Sequence, residues 1–326
     1  MDRNYKIATV FGGTGFVGTQ IVRELAKKGI TVKVATRVPE RAYFLRPCGA
    51  VGQIVPVACD YSEESIAAAV KGADYVVNCI GILFEKKKGA FERAHVDIPA
   101  SIATAAAQSG AERFIHISAL GVDQGKSNYA RTKFRGEKAV LDHFPDATIL
   151  RPSVIFGEGD QFFNMFARMA EFLPALPLIG GGKTKFQPVY VGDVADAVMA
   201  VLALPVFGRD NPQGKIYELG GPEVMNFREI YQTLFKYTGR KRALVSLPFG
   251  LAKIQASFLS VLPRPPLTRD QVESLKTDNV VSAVATRLED LGIEPRAMSL
   301  ILPTYLSAYK PGGRFAGGDS VDRKQA

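Results

Sequence analysis

The sequence has few cysteines and no long hydrophobic run. None of its apolar stretches continues for the roughly 18 residues needed to cross a bilayer, so the sequence predicts no transmembrane helix. The three cysteines, Cys48, Cys59 and Cys79, are odd in number and lack the CxxC spacing. This pattern argues against a disulfide framework and predicts a reducing, intracellular environment. It also argues against a structural zinc site, so no metal is expected.

Acidic residues are in short supply relative to basic ones. Lys and Arg total 41 and Asp and Glu total 32, which gives a formal net charge of +9. Positive charge favours a partner of opposite sign: a phosphate-bearing ligand, an acidic protein or an anionic membrane surface. Nucleic acid is not an expected partner, because the chain has no dense stripe of Lys and Arg interleaved with aromatic residues.

Short apolar runs alternate with helical patterns throughout the first half. Runs such as "KIATVFG", "TVKVATR" and "RFIHISA" contain many β-branched residues, and amphipathic segments such as "TQIVRELAKKG" lie between them. Buried strands that are each followed by a helix are typical of a parallel sheet covered on both faces. The sequence therefore predicts a doubly wound, Rossmann-like α/β domain over residues 1–210, with 151–186 contributing partly to a second lobe.

The second half has a different composition. Aromatic, proline-rich and glycine-rich pieces such as "QFFNMFARMAEFLPALPLIGGG" follow Pro152, and "FQPVYVGDVADAVMAVLAL" is typical of a strand–helix unit that returns to the main domain. Residues 211–310 are predicted to form a smaller α+β lobe for docking or substrate binding. The polar, glycine-rich residues 311–326 are predicted to be a flexible tail.

A glycine-rich segment lies between the first strand and the first helix. In "VFGGTGFVG" the spacings GxGxxG and GxxGxxG are both met. Such a turn lets the backbone approach a pyrophosphate, whose oxygens the amides of the helix N-terminus bind. Its place in the first βαβ pattern favours a dinucleotide site over a simple tight turn. The predicted contacts are Gly12, Gly13, Thr14, Gly15, Phe16, Val17 and Gly18.

The residues after the second strand indicate which dinucleotide binds. An acidic residue at this place would bond the ribose of NAD, but the sequence has Arg37, followed by Arg41. Because a guanidinium pairs with a 2′-phosphate, NADPH is the favoured cofactor; the alternative is that Arg37 is a solvated surface residue. Further cofactor contacts are expected from Asp60, Gly81, Ile82 and Pro152.

A tyrosine and a lysine lie four residues apart in a helical pattern. Tyr129 and Lys133 in "SNYARTKFRGEK" share one helix face, and Ser118 ends the preceding strand. In a reductase, Lys133 would bind the nicotinamide ribose and favour the phenolate of Tyr129. Tyr129 would pass a proton to a carbonyl that Ser118 orients. The spacing YxxxK is also common on protein surfaces, so the pair indicates a reductase site only in combination with the preceding glycine loop.

These residues together resemble the extended short-chain dehydrogenase/reductase superfamily. The resemblance rests on the glycine loop, Ser118, the Tyr129–Lys133 pair and the later "RPSVIFG", and it covers about the first 200 residues. Where members often have Asn in "NVxGT", this chain has "HVDIPA", with His95 near that place. The resemblance implies a dinucleotide-binding fold and leaves open whether Ser118, Tyr129 and Lys133 are catalytic or vestigial.

Other segments resemble one branch more closely. The pieces "FGEGDQFFNMFARM", "KFQPVYVGDVADAV", "LTRDQVESLKTDN" and "LEDLGI" are similar to the NADPH-binding accessory subunit of respiratory complex I, the alpha subcomplex subunit 9 family, over nearly the whole chain. The resemblance implies tightly held NADPH with a structural role, and other complex I subunits as partners. The short stretch before the first strand leaves no room for a transit peptide, so a bacterial member is expected, peripheral at the cytoplasmic face of the inner membrane.

Two functions therefore remain open from the sequence. One is a non-catalytic, NADPH-stabilised accessory subunit of complex I, and the other is a soluble NADPH-dependent reductase or epimerase acting on a small carbonyl or sugar. The apolar segment 247–263, "LPFGLAKIQASFLSVLP", bears on this choice. It is too short to span a bilayer and suits a membrane interface or a partner's surface, but a core helix of the smaller lobe explains it equally well.

Overall fold

The computed structural model describes residues 5–205, 208, 211–260, 262 and 265–313. Most of the predicted tail 311–326 lies outside the described residues, as do positions 261 and 263 of the segment 247–263. The strands are β1 (Ile7–Phe11), β2 (Thr31–Thr36), β3 (Ile54–Ala58), β4 (Tyr75–Asn78), β5 (Arg113–Ile117), β6 (Thr148–Pro152), β7 (Ile155–Phe156), β8 (Ala175–Ile179), β9 (Lys185–Phe186), β10 (Val189–Tyr190), β11 (Ile216–Leu219), β12 (Met225–Asn226) and β13 (Ala243–Leu247).

The helices alternate with the strands in the first half and dominate the end of the chain. They are α1 (Phe16–Lys27), α2 (Glu63–Val70), α3 (Ala90–Glu92), α4 (Ile98–Gln108), α5 (Asn128–His143), α6 (Phe163–Phe172), α7 (Val191–Ala203), α8 (Phe227–Thr238), α9 (Phe249–Leu259), α10 (Arg269–Ser274) and α11 (Met298–Leu306). A π-helical turn, Arg93–Asp97, joins α3 to α4.

The described residues divide by packing into two units, and the first contains the large sheet. This unit comprises the residues up to 153, together with 191–220 and 281–294. Its seven strands have the order β11-β6-β5-β4-β1-β2-β3, and every neighbouring pair is parallel. Strands β5 and β6 are buried along their whole length, as expected for the middle of a covered parallel sheet. The predicted doubly wound α/β fold is confirmed.

Helices in the first unit pack onto the sheet in two groups. Helix α4 lies against both α2 and α5, whereas α1 packs beside α7. Phe11 and Phe114 from the sheet join Ile102 of α4 and Val140 of α5 in one apolar cluster. Burial of such side chains stabilises the fold by about 1.5–3 kcal/mol each. Because all seven strands are parallel, their carboxyl ends lie at the same edge of the sheet.

The second unit comprises 154–190, 221–280 and the described residues from 295 onward. It combines helices with three short strand pairs, β7–β10, β9–β12 and β8–β13. Its core is rich in aromatic rings, among them Phe156, Phe163, Phe166, Phe227 and Tyr231. Strand β11 and residues 281–294, which the sequence analysis assigned to the smaller lobe, belong to the first unit, because β11 pairs with β6 and Tyr217 forms a bridge with Thr286.

Helix α9 explains the ambiguity of the apolar segment 247–263. Its Ala252 and Ala256 are fully buried, whereas Leu251, Ile254 and Phe258 are 56%, 57% and 77% exposed. The spacing of these three residues places them along one helix face. We call Leu251, Ile254 and Phe258 the α9 apolar stripe. Among the described residues, no helix has the length and hydropathy of a membrane span.

Candidate functional site

The glycine loop joins β1 to α1 at the carboxyl end of β1. Gly12 has a φ of +75°, and a Cβ atom there would lie 2.9 Å from the carbonyl carbon of Cys79, which follows β4. A Cβ atom on Gly18 would lie 2.3 Å from the Gly12 carbonyl oxygen. Gly12 is therefore required by its left-handed conformation and the close approach of two backbones. Gly18 is required because α1 packs directly on the loop.

The N-terminus of α1 has the properties of an anion-binding site. Gly15 is its N-cap residue, no side chain caps this end, and the first turn contains no acidic residue. Gly15 is exposed, whereas Thr14, Phe16 and Val17 are half-buried. Because the first amides of a helix lack acceptors within the helix, they can donate to the oxygens of a pyrophosphate.

Arg37 and Arg41 follow β2, whose carboxyl end lies at the same edge of the sheet. Both side chains are exposed. The guanidinium carbon of Arg37 lies 5.9 Å from the centre of the Tyr61 ring. Tyr61 has a φ of 70°, an uncommon conformation for a residue with a bulky side chain, at the loop that follows β3. The contact orients a cation beside the edge at which a dinucleotide would bind.

Asp60 comes after β3 and has a local structural role. Its carboxylate accepts a hydrogen bond from the Ser62 backbone N–H at 2.9 Å. That bond, with others from the Ser65 and Ser62 hydroxyls, lowers the pKa of Asp60 to about 2. The exposed carboxylate is thus ionised at neutral pH and shapes the turn into α2, whose N-cap is Ser62. Its contact with the adenosine part of a cofactor stays a prediction.

The loop after β4 lies against the glycine loop through Cys79. Asn78 Oδ1 accepts a hydrogen bond from the Ile80 N–H at 3.0 Å, which holds the start of this loop. Gly81 is exposed, and no atom lies within 4 Å of the position that a Cβ would take. Ile82, by contrast, donates its backbone N–H to Nε2 of His95 at 3.2 Å. Both residues are predicted to line the cofactor, but their surroundings differ. Gly81 borders open space, whereas the backbone of Ile82 is fixed to the buried side chain of His95.

Tyr129 lies in the first turn of α5, which Ser127 caps. Its ring makes edge-to-face contacts with His95, at 5.3 Å between ring centres, and with Phe91, at 6.0 Å. Burial raises the pKa of Tyr129 to about 12. The phenol is therefore protonated at neutral pH, and the role of Lys133 in favouring the phenolate stays a prediction.

Lys133 lies one turn further along α5 and is buried. Its Nζ donates to the carbonyl oxygen of Ile117, at the end of β5, at 2.7 Å. Burial lowers the pKa of Lys133 to about 8, and the negative charge of Glu137 opposes that shift. Ser118 follows Ile117, and its buried Oγ has no hydrogen-bond partner within the described part of the chain. The structure thus brings Lys133 and Ser118 to the same strand end, where a ligand oxygen would satisfy the serine.

A buried ion-pair network connects α5 to β6, and it was not predicted from the sequence. Glu137, one turn after Lys133, accepts two hydrogen bonds from Arg151, at 2.9 Å from Nε and 2.7 Å from Nη2. Arg151 Nη1 also lies 3.1 Å from Asp123 Oδ2 and 3.8 Å from Glu218 Oε1. One signal could have revealed the network, because an arginine within the apolar strand "ATILRPS" needs a buried counter-charge.

Pro152 completes the set of predicted site residues. It ends β6 and is buried, and its carbonyl accepts the Leu120 N–H at 2.9 Å, so it lies at the carboxyl edge of the sheet next to the loop after β5. Within the described ranges, no group of three or more His, Cys, Asp or Glu side chains is placed to bind a metal ion. The three cysteines are present as free thiols.

Sequence comparisons relate the chain to enzymes and to respiratory subunits. A model of the NAD dependent epimerase/dehydratase family matches residues 8–220. The chain is 37% identical over 320 residues to the Arabidopsis thaliana protein NADH dehydrogenase (ubiquinone) 1 alpha subcomplex subunit 9, mitochondrial, with 94% of this chain and 79% of that protein covered. The protein of the same name from Mus musculus is 36% identical over 299 residues, with 90% and 78% covered.

A comparison with solved structures agrees on the fold. The NADPH-dependent quinone oxidoreductase of Escherichia coli, determined in complex with NADPH, superposes with a TM-score of 0.70 at 19% identity, over 90% of this chain and 97% of that one. At this level of identity the likeness supports the fold alone. Taken with the glycine loop and the sequence matches, it leads to one assignment: the chain belongs to the NAD dependent epimerase/dehydratase family and, within it, to the alpha subcomplex subunit 9 family.

Proposed function

We propose that the protein holds NADPH in its first unit and serves as an accessory subunit of respiratory complex I, without turning the nucleotide over. The observation that carries this proposal is the similarity to alpha subcomplex subunit 9 over 94% of the chain. The epimerase/dehydratase match ends at residue 220, so it leaves out most of the second unit. The sequence similarity to alpha subcomplex subunit 9 continues beyond residue 220, and this supports the accessory-subunit role over that of a general reductase.

NADPH is proposed over NADH on the basis of charge. Arg37 stands where an acidic residue would bond the ribose hydroxyls of NAD, and Arg41 follows it. A carboxylate at that place would repel a 2′-phosphate, whereas a guanidinium binds one with two parallel hydrogen bonds. The excess of positive charge also favours the more anionic cofactor.

Two features of the site favour holding the nucleotide over reducing a substrate. A general acid works best when its pKa is close to the working pH, and the pKa of Tyr129 is raised to about 12. Lys133, which would lower the pKa of that phenol by its charge, donates to the Ile117 carbonyl and has a pKa of about 8. Its Nζ is therefore directed to the end of β5.

The second unit is proposed to supply the docking surface. The α9 apolar stripe exposes three large side chains on one face, whereas a surface helix usually presents polar residues there. We propose that the region 247–310 docks onto the peripheral arm of complex I close to the membrane surface, with other subunits as partners. A location at the cytoplasmic face of a bacterial inner membrane stays a prediction from the sequence.

The test is isolation of the protein at its native abundance from membranes. Native electrophoresis should show it migrating with an NADH-oxidising complex, and denaturation should release NADPH in a ratio of about one per chain. A protein that migrates alone in the soluble fraction would contradict the accessory-subunit role. A released NADH would contradict the choice of nucleotide but not the role.

A second function, that of an NADPH-dependent reductase or epimerase, is favoured by one observation. Ser118 directly follows β5, and Tyr129 and Lys133 lie one turn apart on α5, from which Lys133 reaches the end of β5. The Ser118 hydroxyl lacks a partner among the described residues.

Tyr129→Phe separates the two functions. For an accessory subunit, this change should leave assembly and respiratory activity nearly intact, because only a proton donor is lost. Lys133→Ala should do more harm, since it removes a contact with the bound nucleotide. For a reductase, Tyr129→Phe should lower turnover by about 100-fold or more. Carbonyl reduction assays and respiration measurements on both variants decide between these results.

A further inference from the structure

His95 occupies an unusual place in the first unit. It lies in the π-helical turn Arg93–Asp97 between α3 and α4 and is fully buried. An extra residue inserted in a helix at such a turn re-aims the side chains around it, and π-helical turns are frequent at functional sites. The turn lies directly against α5, because a Cβ atom on Gly136 would stand 1.7 Å from the His95 carbonyl oxygen.

Both ring nitrogens of His95 are engaged, and they connect two different segments. Nδ1 lies 2.9 Å from Thr132 Oγ1 on α5, and Nε2 accepts the Ile82 N–H of the loop after β4 at 3.2 Å. The Thr132 hydroxyl donates to the Asn128 carbonyl at 2.8 Å, so it must accept from Nδ1–H. This fixes one neutral tautomer, with the proton on Nδ1 and a lone pair on Nε2 for Ile82.

The surroundings of His95 keep it neutral. Burial, followed by the positive charge of Lys133, lowers the pKa of His95 to about 3. The imidazole therefore keeps its acceptor for the Ile82 N–H at every pH at which the protein works. Its ring also stacks on Phe91, at 5.1 Å between centres, and meets the edge of Tyr129.

A histidine that only fills the core would not need this arrangement. Space could be filled by Phe, as Phe91 does next to it, with no polar atom to satisfy. His95 instead satisfies the backbone of a loop that borders the glycine loop through Cys79, and it does so from the turn that contacts α5. The bond is made to Ile82, one of the residues predicted to line the cofactor.

We propose that His95 is a positioning residue that fixes the loop after β4 to α5, so that a bound dinucleotide is released only when the Ile82–His95 hydrogen bond opens. The proposal rests on the proposed function for the identity of the ligand, but the link between the loop and α5 is a property of the protein alone. It gives a physical reason for slow release of the nucleotide, since the loop predicted to line the cofactor through Gly81 and Ile82 is held to α5. His95 itself takes no part in proton transfer.

The experiment uses the full chain with four variants. His95→Phe keeps a ring against Phe91 and Tyr129 but removes both hydrogen bonds. His95→Gln restores one acceptor and one donor without the ring, and Thr132→Val removes only the α5 partner. His143→Gln is the matched control, because His143 is exposed near the end of α5. The readouts are the tautomer of His95 from nitrogen chemical shifts, hydrogen exchange of the Ile82 amide, and the dissociation rate of NADPH.

We expect wild-type His95 to stay neutral with the proton on Nδ1 between pH 5 and 9. His95→Phe should speed Ile82 exchange and NADPH release by about tenfold or more, as expected for the loss of a buried hydrogen bond. His95→Gln should recover most of that loss, Thr132→Val should show a smaller effect in the same direction, and His143→Gln should show none.

Unchanged Ile82 exchange and NADPH release in His95→Phe would overturn the proposal. A His95→Gln variant as impaired as His95→Phe would also overturn it, because restoring a donor and an acceptor would then not restore the link. If His95→Phe does not fold, Thr132→Val decides, and unchanged Ile82 exchange in that variant overturns the proposal. Exchange and tautomer are measured without nucleotide. A wild-type protein that does not bind NADPH would therefore refute the proposed function while these two readouts still test the role of His95.

Discussion

The first unit contains a buried network of charged side chains, whereas the second contains a helix with an exposed apolar face. The first unit buries charges, among them Lys133, Glu137 and Arg151, which lie at or next to the carboxyl edge of its sheet. The second unit exposes large apolar side chains on α9. Burying a charge is unfavourable unless it is paired, and leaving an apolar side chain in water forgoes about 1.5–3 kcal/mol of stabilisation. The buried charges and the exposed α9 stripe each depart from the most stable arrangement, and they belong to the regions where a ligand and a partner are proposed to bind.

Polar burial alone does not identify a functional site, as a comparison of Asp160 with Ser118 shows. Asp160 is buried in the second unit, but its two oxygens accept hydrogen bonds from the Tyr305 hydroxyl, from the Gly157 amide and from two backbone amides at the start of α6. It caps a helix and fixes α11, so its role is structural. Ser118 is equally buried, yet its Oγ has no partner among the described residues. The Ser118 hydroxyl is therefore available to a ligand, whereas the Asp160 carboxylate is already satisfied.

The largest effect is expected from breaking the buried ion pair of the first unit. Arg151→Met leaves Glu137 buried without the guanidinium that donates two hydrogen bonds to it. An uncompensated buried charge should lower the free energy of unfolding by about 3–5 kcal/mol, which urea denaturation would measure. The double variant Arg151→Met/Glu137→Leu should recover most of that loss.

Arg135→Met is the matched control for Arg151→Met. Arg135 pairs with Glu92, but both of these side chains are largely solvated. The loss should therefore stay within about 1 kcal/mol. Equal destabilisation by Arg135→Met and Arg151→Met would show that the buried network is no more important than a surface pair.

A smaller loss of stability is expected where α5 contacts the turn that carries His95. In Gly136→Ala the new Cβ would meet the His95 carbonyl oxygen, a backbone atom that cannot rotate away. Overpacking of this kind should reduce the free energy of unfolding by about 1–3 kcal/mol, despite the better helix propensity of alanine. Gly81→Ala serves as control and should change it by less than about 0.5 kcal/mol, because the space around Gly81 is open. A stable Gly136→Ala protein would mean that α5 and the turn can separate.

The next effect concerns binding and not folding. Arg37→Ala should weaken NADPH about tenfold or more, since a charge-assisted hydrogen bond contributes about 1.5–3 kcal/mol, and it should leave NADH affinity nearly unchanged. Arg23→Ala, an exposed change on α1, controls for the lost net charge. Calorimetry with both nucleotides gives the comparison. An equal loss of affinity for NADPH and NADH would contradict the proposed contact between Arg37 and the 2′-phosphate.

Local sequence patterns were sufficient to predict a covered parallel sheet in the first unit. Val-rich and Ile-rich strands with helices between them define a covered parallel sheet, and the spacing of Gly12, Gly15 and Gly18 predicts a tight turn against a helix because these constraints act within a few residues. The close approaches at Gly12 and Gly18 agree with that reading. The binding roles assigned to Thr14, Arg37, Asp60 and the other contacts stay predictions.

Contacts between distant segments were not predictable in the same way. Arg151 and Glu137 come from a strand and a helix, and Ile82 meets His95 through a π-helical turn that no periodicity indicates. The return of β11 to the large sheet depends on pairing with β6, and its four residues resemble any short strand. Pairing partners, tautomers and burial depend on the whole fold, so one sequence leaves them undetermined.

The smallest effect on stability, with the largest change of location, is expected from the α9 apolar stripe. Ile254→Glu and Phe258→Glu alter side chains that are 57% and 77% exposed, so the free energy of unfolding should change by no more than about 0.5 kcal/mol. NADPH affinity should not change, because both residues belong to the second unit.

If the α9 apolar stripe docks on the respiratory complex, both variants should nevertheless move from the membrane fraction to the soluble fraction. Gln255→Glu adds the same charge to an exposed position of the same helix and should leave the protein with the membranes. Fractionation and native electrophoresis measure these outcomes. Retention of Phe258→Glu in the complex, or a loss of several kcal/mol of stability, would show that the exposed face of α9 is not the docking surface.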